Sequence, residues 1–364
     1  MSDVLVSSLT IQDFRSLSLK TIDFKTSITI LTGNNNVGKT TILEAIYFCS
    51  NLRSFKSISN QNLINNNSTF FKISLNYLHN HLKSNIFIEK TLKSSKCTLN
   101  NKKISKNNLN SQFPCYCLVF GFNNILLNDS SYRRDFLDSG MFHVEPGSQT
   151  STNNLNKIIK QRNYLLKSKN LKELSFWDNQ LVEITNIVHS YRYNYFQGLK
   201  SHLYQIIESL KVSDDELYQE ISTLDIDYNN GWKTSNYTQE LQENLDKDIA
   251  IGYTSSGPHR CDFTILSNNR PVKESGSMST LVLSCLVVYL AKINLFHVKH
   301  GYKPTLLIDD LFFGIDDKNL NTVIKLLVNS KGNIIVTCPS IYEEMLCKVV
   351  EGNREITVLN IGDR

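Results

Sequence analysis

The chain has 364 residues, of which 41% are apolar and 20% are charged. This composition excludes a disordered or fibrous protein, and the length suits one head domain that carries an insertion. The 39 Lys and Arg residues exceed the 34 Asp and Glu residues, and the net charge of +5 permits an anionic partner. It is far from the charge of a tail that coats nucleic acid.

The N-terminal fifteen residues contain no basic region followed by an apolar one, so no signal peptide is predicted. The most apolar stretch, 281–291, is shorter than the roughly 20 residues of a membrane span. These patterns predict a soluble, cytoplasmic protein that contacts no membrane. The eight cysteines are scattered through apolar runs without zinc-site spacing, which predicts reduced core thiols.

The first third of the chain is predicted to be rich in strands. Alternating or β-branched apolar patterns predict strands at 4–11, 22–24, 26–31, 70–78, 86–91 and 115–120. Apolar residues at helical spacing predict a helix at 40–50, after the third strand. The stretch between the last two strands is rich in Asn and Lys, and predicts turns.

The middle of the chain is predicted to be helical. Helical periodicity runs through 155–166 and 177–195, and we interpret the aromatic stripe of the second run as helix–helix packing rather than a ligand site. Strands return at 261–266, 305–309 and 333–337, with an apolar helix at 281–294. This order predicts an α/β, ATPase-like head interrupted by a helical subdomain. The predicted boundaries are 1–122 for the N-terminal lobe, 123–247 for the helical lid and 248–364 for the C-terminal lobe.

The strongest local motif is a P-loop between a predicted strand and a predicted helix. Residues 33–40 fit the pattern G-x-x-x-x-G-K-[ST], whose backbone N–H groups and helix N-terminus bind polyphosphate. Lys39 is predicted to reach the β- and γ-phosphates from a solvent-facing loop, and Thr40 to coordinate Mg²⁺. The predicted nucleotide contacts are Gly33, Asn34, Asn35, Asn36, Val37, Gly38, Lys39, Thr40 and Thr41.

A P-loop needs an acidic partner at the end of a neighbouring strand. The apolar run Leu306–Ile308 ends in Asp309 and Asp310. Asp309 is predicted to hold Mg²⁺ through water, and Asp310 to act as the general base on the attacking water. The long separation of these carboxylates from the P-loop is typical of a head that carries a large insertion.

Further segments carry a specific resemblance. The most discriminating are Arg-Arg-x-Phe-Leu-Asp at 133–138 and Gly-Pro-His-Arg-x-Asp at 257–262. Others lie at 13–15, 41–46, 53–55, 142–146, 161–163, 177–178 and 253–254. Together with the P-loop and the 306–310 strand, they resemble the RecF family of bacterial recombinational repair proteins, which are ABC/SMC-type ATPases. The resemblance covers nearly the whole chain. It implies an ABC-type P-loop ATPase head with a β-rich N-terminal lobe and an inserted helical lid.

The chain departs from the family pattern at several positions. Asn36 replaces a usual glycine of the P-loop, and Asn is the residue best able to adopt a positive φ there. Where the family resembles the ABC signature Ser-x-Gly-Gln, alignment on Gly276 puts Glu274 at the serine position. That serine normally caps the γ-phosphate bound by the opposite subunit, and a carboxylate would repel it. The trans-site candidates are therefore Glu274, Ser275 and Gly276, with Ser275 as a substitute donor if the loop shifts by one residue. The loop at 312–316, which follows the Asp309–Asp310 pair, corresponds to the dimer-contact loop of the family. Of the expected Ser-Glu-Leu-Asp pattern, it retains only Asp316.

Lysines cluster between residues 83 and 106, with Lys102, Lys103 and Lys106 as the DNA-contact candidates. Charge alone does not separate DNA contact from a solvated surface, and the resemblance favours DNA.

The resemblance also implies a function. It implies an ATP-dependent DNA-binding protein of recombinational gap repair that supports replication and the SOS response. The protein would use ATP and Mg²⁺, form an ATP-dependent homodimer, and clamp duplex DNA and single-strand/duplex junctions near gaps. It would act with RecR and RecO to help load RecA, with slow hydrolysis as a conformational switch. Two alternatives stay open: a nucleotide-gated DNA-binding protein with little or no hydrolysis, and the ATPase subunit of a nuclease complex.

Overall fold

The computed structural model describes residues 3–56, 60–120, 125, 128–213, 218–219, 221–311, 315, 317–351 and 353–362, and Asp316 lies outside them. The chain divides into two compact units, Met1–Asn124 with Ser277–Arg364 and the contiguous Ile125–Gly276. The second unit extends beyond the helical lid drawn at 123–247, because a strand after residue 260 pairs with one before residue 230.

The described strands are β1 (Leu5–Phe14), β2 (Leu17–Asp23), β3 (Ile28–Thr32), β4 (Phe70–His79), β5 (Leu82–Thr91), β6 (Ser95–Leu99), β7 (Lys102–Lys103), β8 (Cys115–Val119), β9 (Leu224–Asn229), β10 (Asp262–Ser267), β11 (Arg270–Pro271), β12 (Thr305–Asp309), β13 (Ile334–Thr337) and β14 (Ile356–Asn360). The described helices are α1 (Lys39–Asn51), α2 (Lys106–Gln112), α3 (Ser130–Val144), α4 (Ser148–Ser168), α5 (Leu174–Ser213), α6 (Tyr237–Glu243), α7 (Leu245–Ile251), α8 (Val272–Ser275), α9 (Met278–His300), α10 (Asp317–Ser330) and α11 (Glu343–Val349).

The first unit contains an antiparallel sheet in the order β2-β1-β4-β5-β6-β7. Its alternating apolar residues share one hydrophobic core with α1. Phe14, Phe48 and Phe71 meet there at ring-centroid distances of 5.0 to 6.3 Å. The prediction of turns between β5 and β8 is wrong, since this stretch contains β6, β7 and α2. Buried Cys97 pairs with Ile88 across β6 and β5, and tertiary packing overrides the polar composition.

A five-stranded parallel sheet, in the order β14-β3-β13-β12-β8, forms the other layer of the first unit. Every residue of β3, β12 and β13 is buried, as expected for parallel strands covered on both faces. The register pairs Ile308 with Val336 and Thr337 with Leu31. The carboxyl ends of β3, β12 and β13 therefore lie side by side, and the P-loop, the Asp309–Asp310 pair and Thr337 follow at this edge.

The second unit is mainly helical. Leu181 and Val188 of α5 are buried in one cluster with Leu155 of α4 and Tyr237 of α6. The interpretation of the stripe as helix–helix packing is confirmed at these positions. A small antiparallel sheet, β11-β10-β9, completes the unit.

Helix α9 belongs to the first unit and is longer than its predicted apolar segment. It has 23 residues and is apolar enough to cross a membrane by length and composition alone. Most of its side chains are buried inside the molecule, as in the core helix of a globular domain.

Candidate nucleotide-binding site

The P-loop residues adopt backbone conformations that suit their residue types. Gly33 and Gly38 have φ of 147° and 101°, and Asn36 has φ of 69°, which confirms the predicted positive φ at this position. A Cβ atom on Gly38 would lie only 2.8 Å from Leu17 Cδ2. Glycine is therefore required at 38 both for its conformation and for its close approach to β2.

The start of α1 offers unused backbone donors. Gly38 is the N-cap residue and contributes no side-chain cap, while Lys39, Thr40 and Thr41 form the first turn. The N–H groups of a first helical turn lack intrahelical acceptors and carry the positive end of the dipole. With exposed Asn34–Asn36 ahead of it, this donor set fits a polyphosphate.

Lys39 is buried, contrary to the predicted solvent-facing position, and is only 7% exposed. Its Nζ donates to the carbonyl oxygens of Gly33 at 2.7 Å and Asn34 at 2.8 Å. Burial lowers the pKa of Lys39, while the carboxylates of Asp310 and Asp309 act in the opposite direction. The ammonium group is thus held between the loop and the acidic pair.

The acidic pair lies at the end of β12. Asp309 is 3% exposed and accepts a hydrogen bond from the Thr337 hydroxyl at 2.8 Å, and the Thr40 side chain lies near the same carboxylate. Burial, and then the charge of Asp310, raise the pKa of Asp309. Asp310 is half-buried and has φ of 57°. The structure therefore brings together the predicted residues Lys39, Thr40, Asp309 and Asp310.

The segment after β13 forms a further part of the site that the sequence analysis missed. Thr337 contacts Asp309, and Ser340 donates through its backbone N–H to the Gly33 carbonyl at 3.2 Å. The Ser340 hydroxyl donates to Asn34 Oδ1 at 3.1 Å. The sequence signal was slight: a polar residue that ends an apolar strand.

Two segments of the family resemblance near the N-terminus stabilise α1. Glu44 is fully buried, and Arg15 donates to it through Nε at 2.5 Å and Nη2 at 2.6 Å. The Ser54 hydroxyl donates to the same carboxylate. These motif residues therefore fix the helix that carries the P-loop lysine.

The two most discriminating motifs pair with each other inside the second unit. Arg133 forms a bidentate contact with Asp262, at 2.6 and 2.9 Å. Arg192 of α5 does the same with Asp138, at 2.8 Å for both bonds, and also donates to the Pro258 carbonyl. Among the described residues, both motifs therefore stabilise the interior of the second unit through ion pairs.

A third group of motif residues surrounds a fully buried arginine. Arg162 donates to Asp178 and Asp248 at 2.7 Å each, and to Thr254 at 2.9 Å. Asn163 accepts from both the N–H and the hydroxyl of Thr254. The 161–163, 177–178 and 253–254 segments thus meet in one hydrogen-bond network of the second unit.

The trans-site candidates form an exposed turn of the second unit. Glu274 is exposed, and Ser275 donates its hydroxyl to the Pro271 carbonyl at 3.1 Å. The Gly276 N–H donates to the Val272 carbonyl at 2.9 Å. The Ser275 hydroxyl and the Gly276 N–H therefore have internal acceptors, while the Glu274 carboxylate is exposed.

The DNA-contact candidates lie at one edge of the antiparallel sheet. Lys102 and Lys103 form β7 opposite Leu99 and Thr98, and all three candidate lysines are exposed. Successive strand residues point to opposite faces, so Lys102 and Lys103 do not share the single face expected for a row of phosphate contacts. Partial desolvation and the charge of Arg53 lower the pKa of Lys106, the first residue of α2.

Comparison with known proteins identifies the family. A profile of the RecF/RecN/SMC N-terminal domain family matches residues 5–360. The "DNA replication and repair protein RecF" of Vibrio vulnificus is 30% identical over 91% of this chain and 92% of its own. The chain belongs to the RecF family. The RecF of Mannheimia succiniciproducens is 28% identical, over 98% of both chains.

Solved structures agree with the family at the level of the fold. A structure titled "recombination mediator protein RecF-ATPrS in RecFOR pathway" matches with a TM-score of 0.77 and 23% identity, over 93% of each chain. An Smc head domain from Pyrococcus furiosus matches with a TM-score of 0.55 and 15% identity, over 99% of this chain and 94% of that one. The RecF-family chain therefore has the predicted α/β, ABC-type ATPase head fold.

Proposed function

We propose that the protein is an ATP-dependent DNA-binding ATPase of replication and recombinational gap repair. The observation that carries the proposal is the convergence of Lys39, Thr40, Asp309 and Asp310 at one edge of the parallel sheet. The family membership supports it, since curated relatives are named as DNA replication and repair proteins. One structural relative is titled as an ATP-bound recombination mediator.

In the proposed mechanism the nucleotide phosphates occupy the P-loop. Lys39 leaves the loop carbonyls and donates to the β- and γ-phosphates, and the first-turn N–H groups of α1 bind the remaining oxygens. Thr40 and Asp309 would hold Mg²⁺, and the bound ion would neutralise phosphate charge. Asp310 accepts a proton from the attacking water.

The wider proposal concerns assembly. Two heads dimerise around ATP, clamp duplex DNA or single-strand/duplex junctions near gaps, and act in the cytoplasm with RecR and RecO to help load RecA. Slow hydrolysis releases the clamp. The trans contribution is the weak part of this site, since Glu274 is exposed where the family has a serine.

A second candidate, a nucleotide-gated DNA-binding protein with little hydrolysis, is favoured by the exposed Glu274 alone. Steady-state ATP hydrolysis with and without DNA separates the two. DNA-stimulated turnover supports the ATPase. ATP-dependent DNA binding without turnover supports the gated binding protein.

DNA binding is expected to weaken steeply with salt, because each phosphate contact releases counterions. The logarithm of the binding constant falls against the logarithm of the salt concentration with a slope of about 0.9 per contact. Replacing Lys102, Lys103 and Lys106 with Gln is expected to lower that slope by about 1 to 2, since Lys102 and Lys103 lie on opposite faces of β7. The measurement is DNA affinity across a salt series at saturating Mg-ATP.

The matched control for this triple variant replaces three other exposed lysines of the first unit, Lys25, Lys299 and Lys331, with Gln. It removes the same charge and is expected to leave the slope unchanged. Equal slopes for the two triple variants would mean that the candidate lysines are ordinary solvated surface residues and do not contact DNA.

Glu274→Ser is expected to strengthen ATP-dependent dimerisation by up to about tenfold, because it removes a carboxylate proposed to face the γ-phosphate of the other subunit. The measurement is the dimer dissociation constant at saturating Mg-ATP. The neighbouring exposed residue provides the control, Lys273→Ser. This change removes a positive charge, which attracts phosphate, instead of a negative one. A Glu274 variant that dimerises no better than the wild type would mean that this carboxylate points away from the nucleotide.

A further inference from the structure

One buried hydroxyl links the two acidic residues of the candidate site. Thr337 is fully buried at the carboxyl end of β13, the strand between β3 and β12. Its Oγ1 donates to Asp309 Oδ1 at 2.8 Å and accepts from the Asp310 N–H at 2.9 Å. A hydroxyl has one proton and two lone pairs, so both bonds form at the same time and fix its orientation.

The bond to Asp310 holds an unusual backbone conformation. Asp310 has φ of 57°, in the left-handed region that few non-glycine residues adopt, although Asp and Asn do so more often than others. The chain leaves the strand at this point, since the pairing of β12 with β8 ends at Asp309 and Val119. Thr337 provides the acceptor for the first N–H beyond the strand, and this turn determines the direction of the Asp310 side chain.

The other bond of Thr337 holds the carboxylate of Asp309. The hydroxyl donates to Asp309 Oδ1, and Asp309 is only 3% exposed, so this bond limits the directions that the carboxylate can take. Thr337 therefore acts on the metal-binding carboxylate and on the backbone of the base together.

We propose that Thr337 is a positioning residue of the ATP hydrolysis site, which couples the orientation of the Asp309 carboxylate to that of Asp310. This inference rests on the proposed ATPase function. The thiol of Cys338, the next residue, does not take this role, because its Sγ donates to the Pro339 carbonyl.

The test compares Thr337→Val, Thr337→Ser and a matched control, Thr29→Val. Thr29 is buried in β3 of the same sheet, and its hydroxyl has no hydrogen-bond partner among the described residues. Each protein is measured for ATP hydrolysis, for ATP affinity by calorimetry with and without Mg²⁺, and for melting temperature. The control is expected to match the wild type in all of them.

Thr337→Val is expected to lower kcat at least about tenfold and to weaken the enhancement of ATP affinity by Mg²⁺. Its ATP affinity without Mg²⁺ should stay within about twofold, since Lys39 and the P-loop are untouched. Thr337→Ser keeps the hydroxyl and is expected to restore kcat to within about threefold. If the valine variant does not fold, Thr337→Ala takes its place under the same criteria.

Three results would overturn the proposal. They are turnover and Mg²⁺ enhancement of Thr337→Val equal to the wild type, a serine variant as impaired as the valine variant, and equal losses in Thr29→Val. Failure of the proposed function has a separate signature: the wild-type protein itself would show no ATP affinity with or without Mg²⁺.

Discussion

Replacing Lys39 with alanine is expected to weaken ATP binding by at least about 100-fold, because the ammonium is the charged donor nearest the proposed phosphates. The fold is expected to persist. The variant loses two hydrogen bonds to loop carbonyls, but it also removes a partly desolvated charge, as the lowered pKa of Lys39 indicates. The measurements are calorimetric ATP affinity and the melting temperature without nucleotide.

Lys303 provides the matched control. It is half-buried, burial lowers its pKa as it does that of Lys39, and its Nζ donates to the Ser330 carbonyl. Lys303 precedes β12, however, and so lies at the opposite end of the parallel strands. Lys303→Ala is expected to alter the melting temperature and leave ATP affinity unchanged. Equal ATP affinity in the wild type and Lys39→Ala would overturn the assignment of the P-loop.

Asp310→Asn is expected to lower ATP hydrolysis by at least about 100-fold while ATP stays bound, because it removes the proposed base and leaves Asp309 for the metal. Asn tolerates a φ of 57° as well as Asp does, and its N–H still donates to Thr337. Trapped ATP is expected to stabilise the dimer. Single-turnover hydrolysis and sedimentation with Mg-ATP measure the two effects.

The control for this substitution is Asp13→Asn. Asp13 lies in the first unit, is half-buried and has φ of 53°, so the same chemical change occurs at a similar backbone conformation. It is expected to leave hydrolysis unchanged. Wild-type turnover in Asp310→Asn would mean that another group accepts the proton.

Local sequence could predict those parts of the site that are formed by a few consecutive residues. The P-loop needs glycines, lysine and threonine at fixed spacing between a strand and a helix, and β12 is an apolar run that ends in two carboxylates. The strand 305–309 has the predicted bounds, and α1 begins one residue before its predicted start. Short-range physics determines these elements.

Other features depend on neighbours that are remote in sequence. Thr337 belongs to the site only because β13 lies between β3 and β12, and strand order cannot be derived from an apolar pattern. Lys39 was expected to face solvent because nothing in the loop sequence shows the carbonyl groups that enclose it. β6 and β7 were missed since their polar residues stay extended through pairing with β5, and not through intrinsic preference.

The order of strands in the parallel sheet has a consequence for synthesis of the chain. Both neighbours of β3, which leads into the P-loop, are made after residue 333, and β8 has its neighbour only after residue 304. Until then the nascent chain exposes two unpaired strands, whose edges are templates for aggregation. The contiguous unit 125–276 has a core of its own and can fold while the ribosome continues. The nucleotide site therefore forms only after β13 has been synthesised, and the unpaired strands need protection from aggregation until then.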